Sequence, residues 1–162
     1  MRKIILISDS HHSLDERIFP HLEKCDEIWH AGDIGNLEIT DKLKTFAPLR
    51  AVWGNIDDYK TRKEFKETIY FKCERLKVMM THIGGYPGRY EKGIKEILAD
   101  KHLDLFISGH SHILKVIYDK KLRLLHINPG AAGKYGSQNV STLIRFTIDA
   151  KEVKDLQVIE MG

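Results

Sequence analysis

The sequence predicts an α/β fold of two packed β-sheets flanked by helices. Three observations point there. The first third of the 162-residue chain alternates short β-branched apolar runs with stretches of helical apolar spacing. The last third is nearly all strand-like. The length gives one domain, over residues 1–162, with room for a proper core.

Ile4-Ile5-Leu6-Ile7 is a continuous apolar run, as in a strand covered on both faces. Ser13 to Lys24 has Leu14, Ile18 and Leu22 at helical spacing, and Pro20 either starts or breaks that helix. Glu27 to Ala31 is a second strand, Leu37 to Phe46 a second helix and Leu49 to Trp53 a third strand. This β-α-β-α-β order favours parallel pairing with right-handed crossovers. Thr68 to Lys72 and Leu76 to Thr81 follow as strands joined by a tight connection. A glycine-rich loop, Gly84 to Gly88, leads to a helix from about Glu91 to Lys101 and a strand at Asp104 to Ile107. Four more strands are expected at 113–118, 122–127, 142–148 and 153–159. The chain therefore reads as a parallel half followed by an antiparallel half.

Composition narrows the function. A 42% hydrophobic and 30% charged chain is far from a disordered one. No apolar run approaches the roughly 18 residues of a membrane span, and nothing resembles a leader, so a cytoplasmic protein is expected. Cys25 and Cys73 are lone residues and read as reduced thiols. The net charge of +3 is too small to imply nucleic acid. The basic stretch from Lys60 to Lys66 reads as a solvated face, or else as a rim for an anionic substrate.

The chemistry collects where strands end. The first ends in Ser8-Asp9-Ser10-His11, the second in Gly32-Asp33 and the third in Gly54-Asn55. The 76–81 strand ends in His82, and the 104–107 strand in Ser108-Gly109-His110-Ser111-His112. Ligands bind at the carboxyl ends of parallel strands, so seven metal-type side chains would converge on one crevice. Taken alone, Asp33 could be a helix cap and Asn55–Asp57 a turn, whereas His110-x-His112 can aim two rings at one place. Packed together without metal, the seven would form a destabilising charged cluster. Oxygen and imidazole donors without thiolate suit Mn, Fe, Co, Ni or Zn better than Ca or Mg. Seven donors exceed one tetrahedral ion, which implies two divalent ions sharing a carboxylate, a clamp for in-line displacement at phosphorus.

Asp9-x-His11, Gly32-Asp33, Gly54-Asn55, His82 and Gly109-His110-x-His112, in this order, resemble the motif series of the calcineurin-like metallophosphoesterases. The resemblance runs from about residue 4 to about 131, includes His126-Ile-Asn128-Pro129-Gly130, and is to the small prokaryotic phosphodiesterases of the family. It implies two packed mixed β-sheets flanked by helices. It also implies one ion on Asp9, His11 and His112, another on Asn55, His82 and His110, and Asp33 bridging them. A hydroxide between the ions would be the nucleophile, and Asn55 would also orient a phosphate oxygen. Manganese is the foremost candidate metal, with Ni, Co, Fe or Zn as alternatives.

Two departures bear on mechanism. Many monoesterases of the family continue Gly-Asn with a proton-donating His, where this chain has Ile56. Loss of that acid favours a small-molecule phosphodiester with a good leaving group over alkyl monoesters. His12 stands where the family commonly has Gly; it is either a solvent-facing loop residue or a substitute acid. Beside His82, Arg89 could pair with a phosphate oxygen and Tyr86 or Tyr90 could stack on an aromatic group, unless the loop only packs locally. Asn128 is placed to hold a ligand histidine from behind, and His30 and His126 read as buried structural residues. His21 and His102 read as surface positions. The expected partner is therefore a small phosphodiester, with self-association open. The rival readings are a non-catalytic metal-binding scaffold of the same fold, like the retromer subunit, and a metal-dependent nuclease.

Overall fold

The computed structural model describes residues 1–133 and 140–161. Five strands form a first mixed sheet: β1 (Arg2–Ile7), β2 (Glu27–His30), β3 (Leu49–Ala51), β11 (Ser141–Asp149) and β12 (Glu152–Met161), in the order β12-β11-β1-β2-β3. β1, β2 and β3 run parallel, and β11 pairs antiparallel with β1. A second mixed sheet has the order β4-β5-β8-β10-β9, from β4 (Thr68–Cys73), β5 (Leu76–Thr81), β8 (Leu105–Ile107), β9 (Lys115–Asp119) and β10 (Leu124–Asn128). Its three central strands, β5, β8 and β10, are parallel.

Alternation along the strands builds the layers. Ile4, Leu6 and Trp29 face Val78, Met80, Ile107 and Ile127 in the core between the sheets. The intervening Ile5, Ile7 and Ile28 pack with Ile18, Leu22, Ile39 and Leu43 from the helical layer over the first sheet. On the far side of the second sheet, Met79, Phe106 and Leu124 meet Leu98 and Leu103. All four residues Ile4–Ile7 are fully buried, which is why that run has no polar position. Burying each such side chain is worth about 1.5–3 kcal/mol.

The helices refine the sequence reading. The 13–24 stretch is a single 3-10 turn, Glu16–Ile18, followed by the short α1 (Phe19–Leu22), with Pro20 in its first turn where a missing N–H costs nothing. α2 (Leu37–Lys44) is capped by Asn36, whose side chain accepts from Ile39 N, so Asp33 is not the cap. The basic 60–66 stretch is largely α3 (Tyr59–Glu64), capped by Asp58. The glycine-rich loop is a small hairpin, β6 (Gly85–Tyr86) with β7 (Arg89–Tyr90), ahead of α4 (Ile94–Lys101). Among the described residues no helix is long and apolar enough to cross a membrane.

Long-range pairing lay beyond the sequence reading. The last two strands return to the first sheet beside β1, while β9 and β10 complete the second. Neither sheet is therefore purely parallel or antiparallel. The carboxyl ends of β1, β2, β5 and β8 reach the same edge of the sandwich. Asp9 N donates to Gly32 O at 2.9 Å within the first sheet, and Gly109 N to His82 O at 3.0 Å within the second. His110 N donates to the Asp9 carboxylate at 3.1 Å and joins the two.

Candidate metal centre

The loops that leave these strands bring two donor groups together. Asp9, His11 and His112 form one, and Asp33, His82 and His110 the other; within each, the donor atoms lie within 4.8 Å of one another. Asp9 Oδ1 is 3.5 Å from His11 Nε2 and 3.3 Å from His112 Nε2. Asp33 Oδ2 is 3.2 Å from His82 Nε2 and 3.5 Å from His11 Nε2, so this one oxygen faces both groups. Two ligands about 2.1 Å from a common ion stand roughly 3–3.5 Å apart, the spacing seen here.

The backbone takes unusual conformations to achieve this. Asp9, His11, Asp33, His110 and His112 all have positive φ, between 46° and 71°. Such left-handed conformations disfavour residues with a Cβ, and they concentrate at sites where the surrounding structure holds them in place. Two glycines make the close approach feasible. A Cβ on Gly54 would lie 2.2 Å from Asp33 Oδ1, and one on Gly109 would lie 2.1 Å from Ser8 Oγ.

Second partners aim the donors. Ser8 Oγ donates to Asp9 Oδ2 at 2.6 Å, and Ile56 N to Asp33 Oδ1 at 3.0 Å, which leaves the other oxygen of each carboxylate toward the histidines. The His82 Nδ1–H donates to Ala31 O at 2.7 Å, so its Nε2 presents a lone pair. Among the described residues, Asp9 Oδ1, His11 Nε2 and His82 Nε2 are buried and find no hydrogen-bond partner. Orphaned buried donors and acceptors facing one another are costly alone and are what a cation would satisfy, so these residues fit divalent metal. Burial alone would raise the Asp9 pKa, but His11, His112, the His82 charge and Ser8 hold it well below the usual range. His82 is pushed up: burial opposes this, and Asp33 and Asp9 outweigh it.

Other sequence expectations sort clearly. Asn55 is exposed, and its Oδ1 accepts from His110 Nδ1 at 3.0 Å, which brings it to the second group. His12 is exposed and lies outside both groups. Tyr86 and Arg89 line a cavity that reaches His110. Tyr90 packs locally instead, its hydroxyl donating to Asp119 at 2.7 Å and its ring meeting Phe106. Asn128 supports the loop rather than an imidazole: Nδ2 donates to Gly109 O and to Ser111 Oγ, both at 3.1 Å. His30 and His126 are fully buried. His30 donates from Nε2 to Ser10 Oγ at 2.8 Å, which donates on to Ile34 O, and burial pushes its pKa down to about 4.

The sequence reading missed two residues that carry the Asn55 loop. Asp57 accepts from Ile34 N, Gly35 N and Gly54 N at 2.8–3.1 Å and ties the second and third loops together. Arg62 donates to Asp57 O at 2.8 Å and Asn55 O at 3.2 Å while stacking on Trp53 at 4.2 Å. It remains exposed, as expected of a solvated face, and also clamps the loop. The only sequence signal was an Asp two residues past Asn55, indistinguishable from a turn residue.

The model of the calcineurin-like phosphoesterase superfamily domain matches residues 1–151. The chain belongs to that superfamily. A protein of Methanothermobacter thermautotrophicus described as a probable metallophosphoesterase is 27% identical to this phosphoesterase-family chain over 164 residues, 97% of this chain and 91% of its own. A probable metallophosphoesterase of Methanocaldococcus jannaschii is 31% identical over 133 residues, covering 78% of this chain and 66% of its own length. Among solved structures, zinc-complexed Vps29 from Entamoeba histolytica superposes with a TM-score of 0.75 at 18% identity, covering 98% of both chains. A Streptococcus pneumoniae protein described as a predicted phosphoesterase gives 0.70 at 21%, covering 99% of this chain and 98% of its own. Identities this low establish the shared fold of this superfamily member and nothing finer.

Proposed function

We propose that the chain is a two-metal phosphodiesterase, acting in the cytoplasm on a small diester. The observation that carries the reading is Asp33 Oδ2, which stands between His11 and His82 at 3.5 and 3.2 Å and so faces both donor groups. Asp9, His11 and His112 would hold one ion and His82, His110 and Asn55 the other, with Asp33 placed to serve both. Manganese is the metal we favour. Bound there, the pair supplies an activated water and neutralises charge on the phosphoryl oxygens.

The chain's own residues do the positioning. The Asn55 amide, held to His110 and backed by Arg62, orients a phosphoryl oxygen beside the second donor group. Ile56 places hydrocarbon, not an acid, directly after it, and its 39% exposure puts that side chain at the surface. Without general acid assistance, typically worth 10²–10⁴-fold, diesters with good leaving groups are the favoured substrates. His12 is the candidate replacement acid.

The test compares hydrolysis of bis(p-nitrophenyl) phosphate and p-nitrophenyl phosphate by metal-stripped protein refilled with Mn, Ni, Co or Zn. Diester cleavage that needs metal, exceeds monoester cleavage and disappears in Asn55→Ala is expected. Two ions bound per chain with no cleavage by any of these metals would instead favour the scaffold reading. A rate that depends steeply on leaving-group pKa and is unchanged in His12→Ala would remove His12 from the mechanism.

A further inference from the structure

A cavity opens beside the metal centre, between the β6–β7 hairpin and strands β9 and β10. Its volume is about 370 Å³, within the usual range for small-molecule sites. His110, a member of the second donor group, lines it together with Tyr86, Arg89, Glu91 and Lys115. The hairpin is fastened at both sides: Ser108 Oγ donates to Gly85 O at 3.1 Å, and Tyr90 Oη to Asp119 at 2.7 Å. The cavity is therefore built, and it is continuous with the donors.

Strand register sets two cations in its wall. Lys115 is the partner of Asn128 across β9 and β10, so the two side chains leave the same face. Asn128 Nδ2 donates to Gly109 O and Ser111 Oγ, both at 3.1 Å, which starts the lysine beside the His110 loop. From there its ammonium reaches the hairpin and lies over the Tyr86 ring, 4.3 Å from the centroid. Tyr86 and Arg89 are opposite partners in the hairpin and share a face in turn. Among the described residues neither Lys115 nor Arg89 forms an ion pair, and Glu91, on the same lining, reaches neither. Two cations gathered without a paired carboxylate draw an anion into the cleft they line. On the reading above, the reacting phosphoryl is held by the donor groups and Asn55, so these cations are left for another group. They match a phosphate monoester, which carries about −1.5 to −2 charge at pH 7.

We infer that this cavity receives a second phosphate group, carried on the non-leaving arm of the diester and gripped by Lys115 and Arg89. The inference rests on the phosphodiesterase reading above and names the class of diester that site takes. Lys115 and Arg89 are specificity residues here, since they meet the arm and not the reacting phosphorus. Tyr86, with the ammonium over its ring, steadies Lys115 in that position.

Two substrates with the same nucleoside and leaving group isolate the second phosphate: thymidine 3′-phosphate 5′-(p-nitrophenyl phosphate) and thymidine 5′-p-nitrophenyl phosphate. Metal-loaded wild-type protein is expected to prefer the first about tenfold in kcat/KM, the order of one charge-assisted contact. That preference should fall towards one in Lys115→Gln and recover in Lys115→Arg. Were Lys115 on the reacting phosphoryl instead, both rates would fall together and their ratio would stand. Equilibrium binding gives a second readout. By calorimetry, zinc-loaded protein should bind thymidine 3′,5′-bisphosphate about tenfold tighter than thymidine 5′-monophosphate, and Lys115→Gln should remove the difference. A wild-type ratio near one, or one that Lys115→Gln leaves unchanged, in either measurement overturns the inference while leaving the diesterase reading intact. If neither diester is cleaved, the diesterase reading fails. The binding ratio then decides the cavity by itself: a difference lost in Lys115→Gln sustains a site for a second phosphate, and none removes it.

Discussion

Asp57 touches neither donor group, yet three backbone N–H groups from two loops converge on its carboxylate. Asp57→Asn keeps the shape and replaces one acceptor by a donor facing an N–H. It should lower stability by about 2–4 kcal/mol, seen as a lower Tm of metal-free protein. Metal occupancy should weaken with it, because Ile34 and Gly35 follow Asp33 directly. At the same scale, His30 and His126 set an acid limit. Their folded pKa values are pushed down to about 4 by burial, against about 6.5 when unfolded. As pH falls below 6.5 the unfolded chain takes up protons that the folded chain refuses. Their stabilisation is therefore complete above 6.5 and drains away as pH falls towards 4. Tm of metal-free protein should follow that course, and its fall should be shallower in His126→Phe.

Among the elements, the β6–β7 hairpin is the one whose order depends on side chains, since two residues per strand give little ladder. Tyr90 holds it through the Asp119 carboxylate. That pair raises the Tyr90 pKa after burial, and it lowers the Asp119 pKa against burial. Tyr90→Phe keeps the ring packing on Phe106 and removes only the clasp. It should cost about 1 kcal/mol in stability. Amide hydrogen exchange across Gly85–Tyr90 should accelerate, while exchange in β5 and β8 stays slow. Uniform acceleration through all of these strands would show that the clasp supports the whole sheet instead.

At the scale of the molecule, the two sheets are coupled through their metal-type side chains. Asp9 and Asp33 come from the first sheet, and His82, His110 and His112 from the second. Loading with metal should therefore brace the sandwich itself. A ligand at a hundred times its Kd stabilises by about 2.7 kcal/mol per site, so Tm should rise with free metal. The bridge makes a sharper prediction. Asp33→Ala should reduce occupancy towards zero at both positions, because Asp33 Oδ2 faces both groups. His112→Ala should leave close to one ion per chain, read by elemental analysis after dialysis. Equal occupancy in the two variants would count against a shared carboxylate.

What the sequence by itself determined was local. Continuous apolar runs at Ile4–Ile7 and Val78–Met80 mark strands whichever partner they find, and the Asp, Asn and His residues at their ends were legible because ligands gather at strand carboxyl ends. The ordered motif series was enough to indicate the family. Only the tertiary structure decided the rest. That β11 pairs with β1 and not with β10 depends on contacts between residues more than a hundred positions apart, which no local pattern encodes. The roles of Asp57 and Arg62 arise from backbone groups that another loop presents, and a backbone amide leaves no mark in a sequence. Asn36, not Asp33, caps α2, because the left-handed turn at Asp33 points its carboxylate to the histidines. His126 was legible as a buried residue; that its Nε2 finds no hydrogen-bond partner among the described residues follows only from how the chain packs around it.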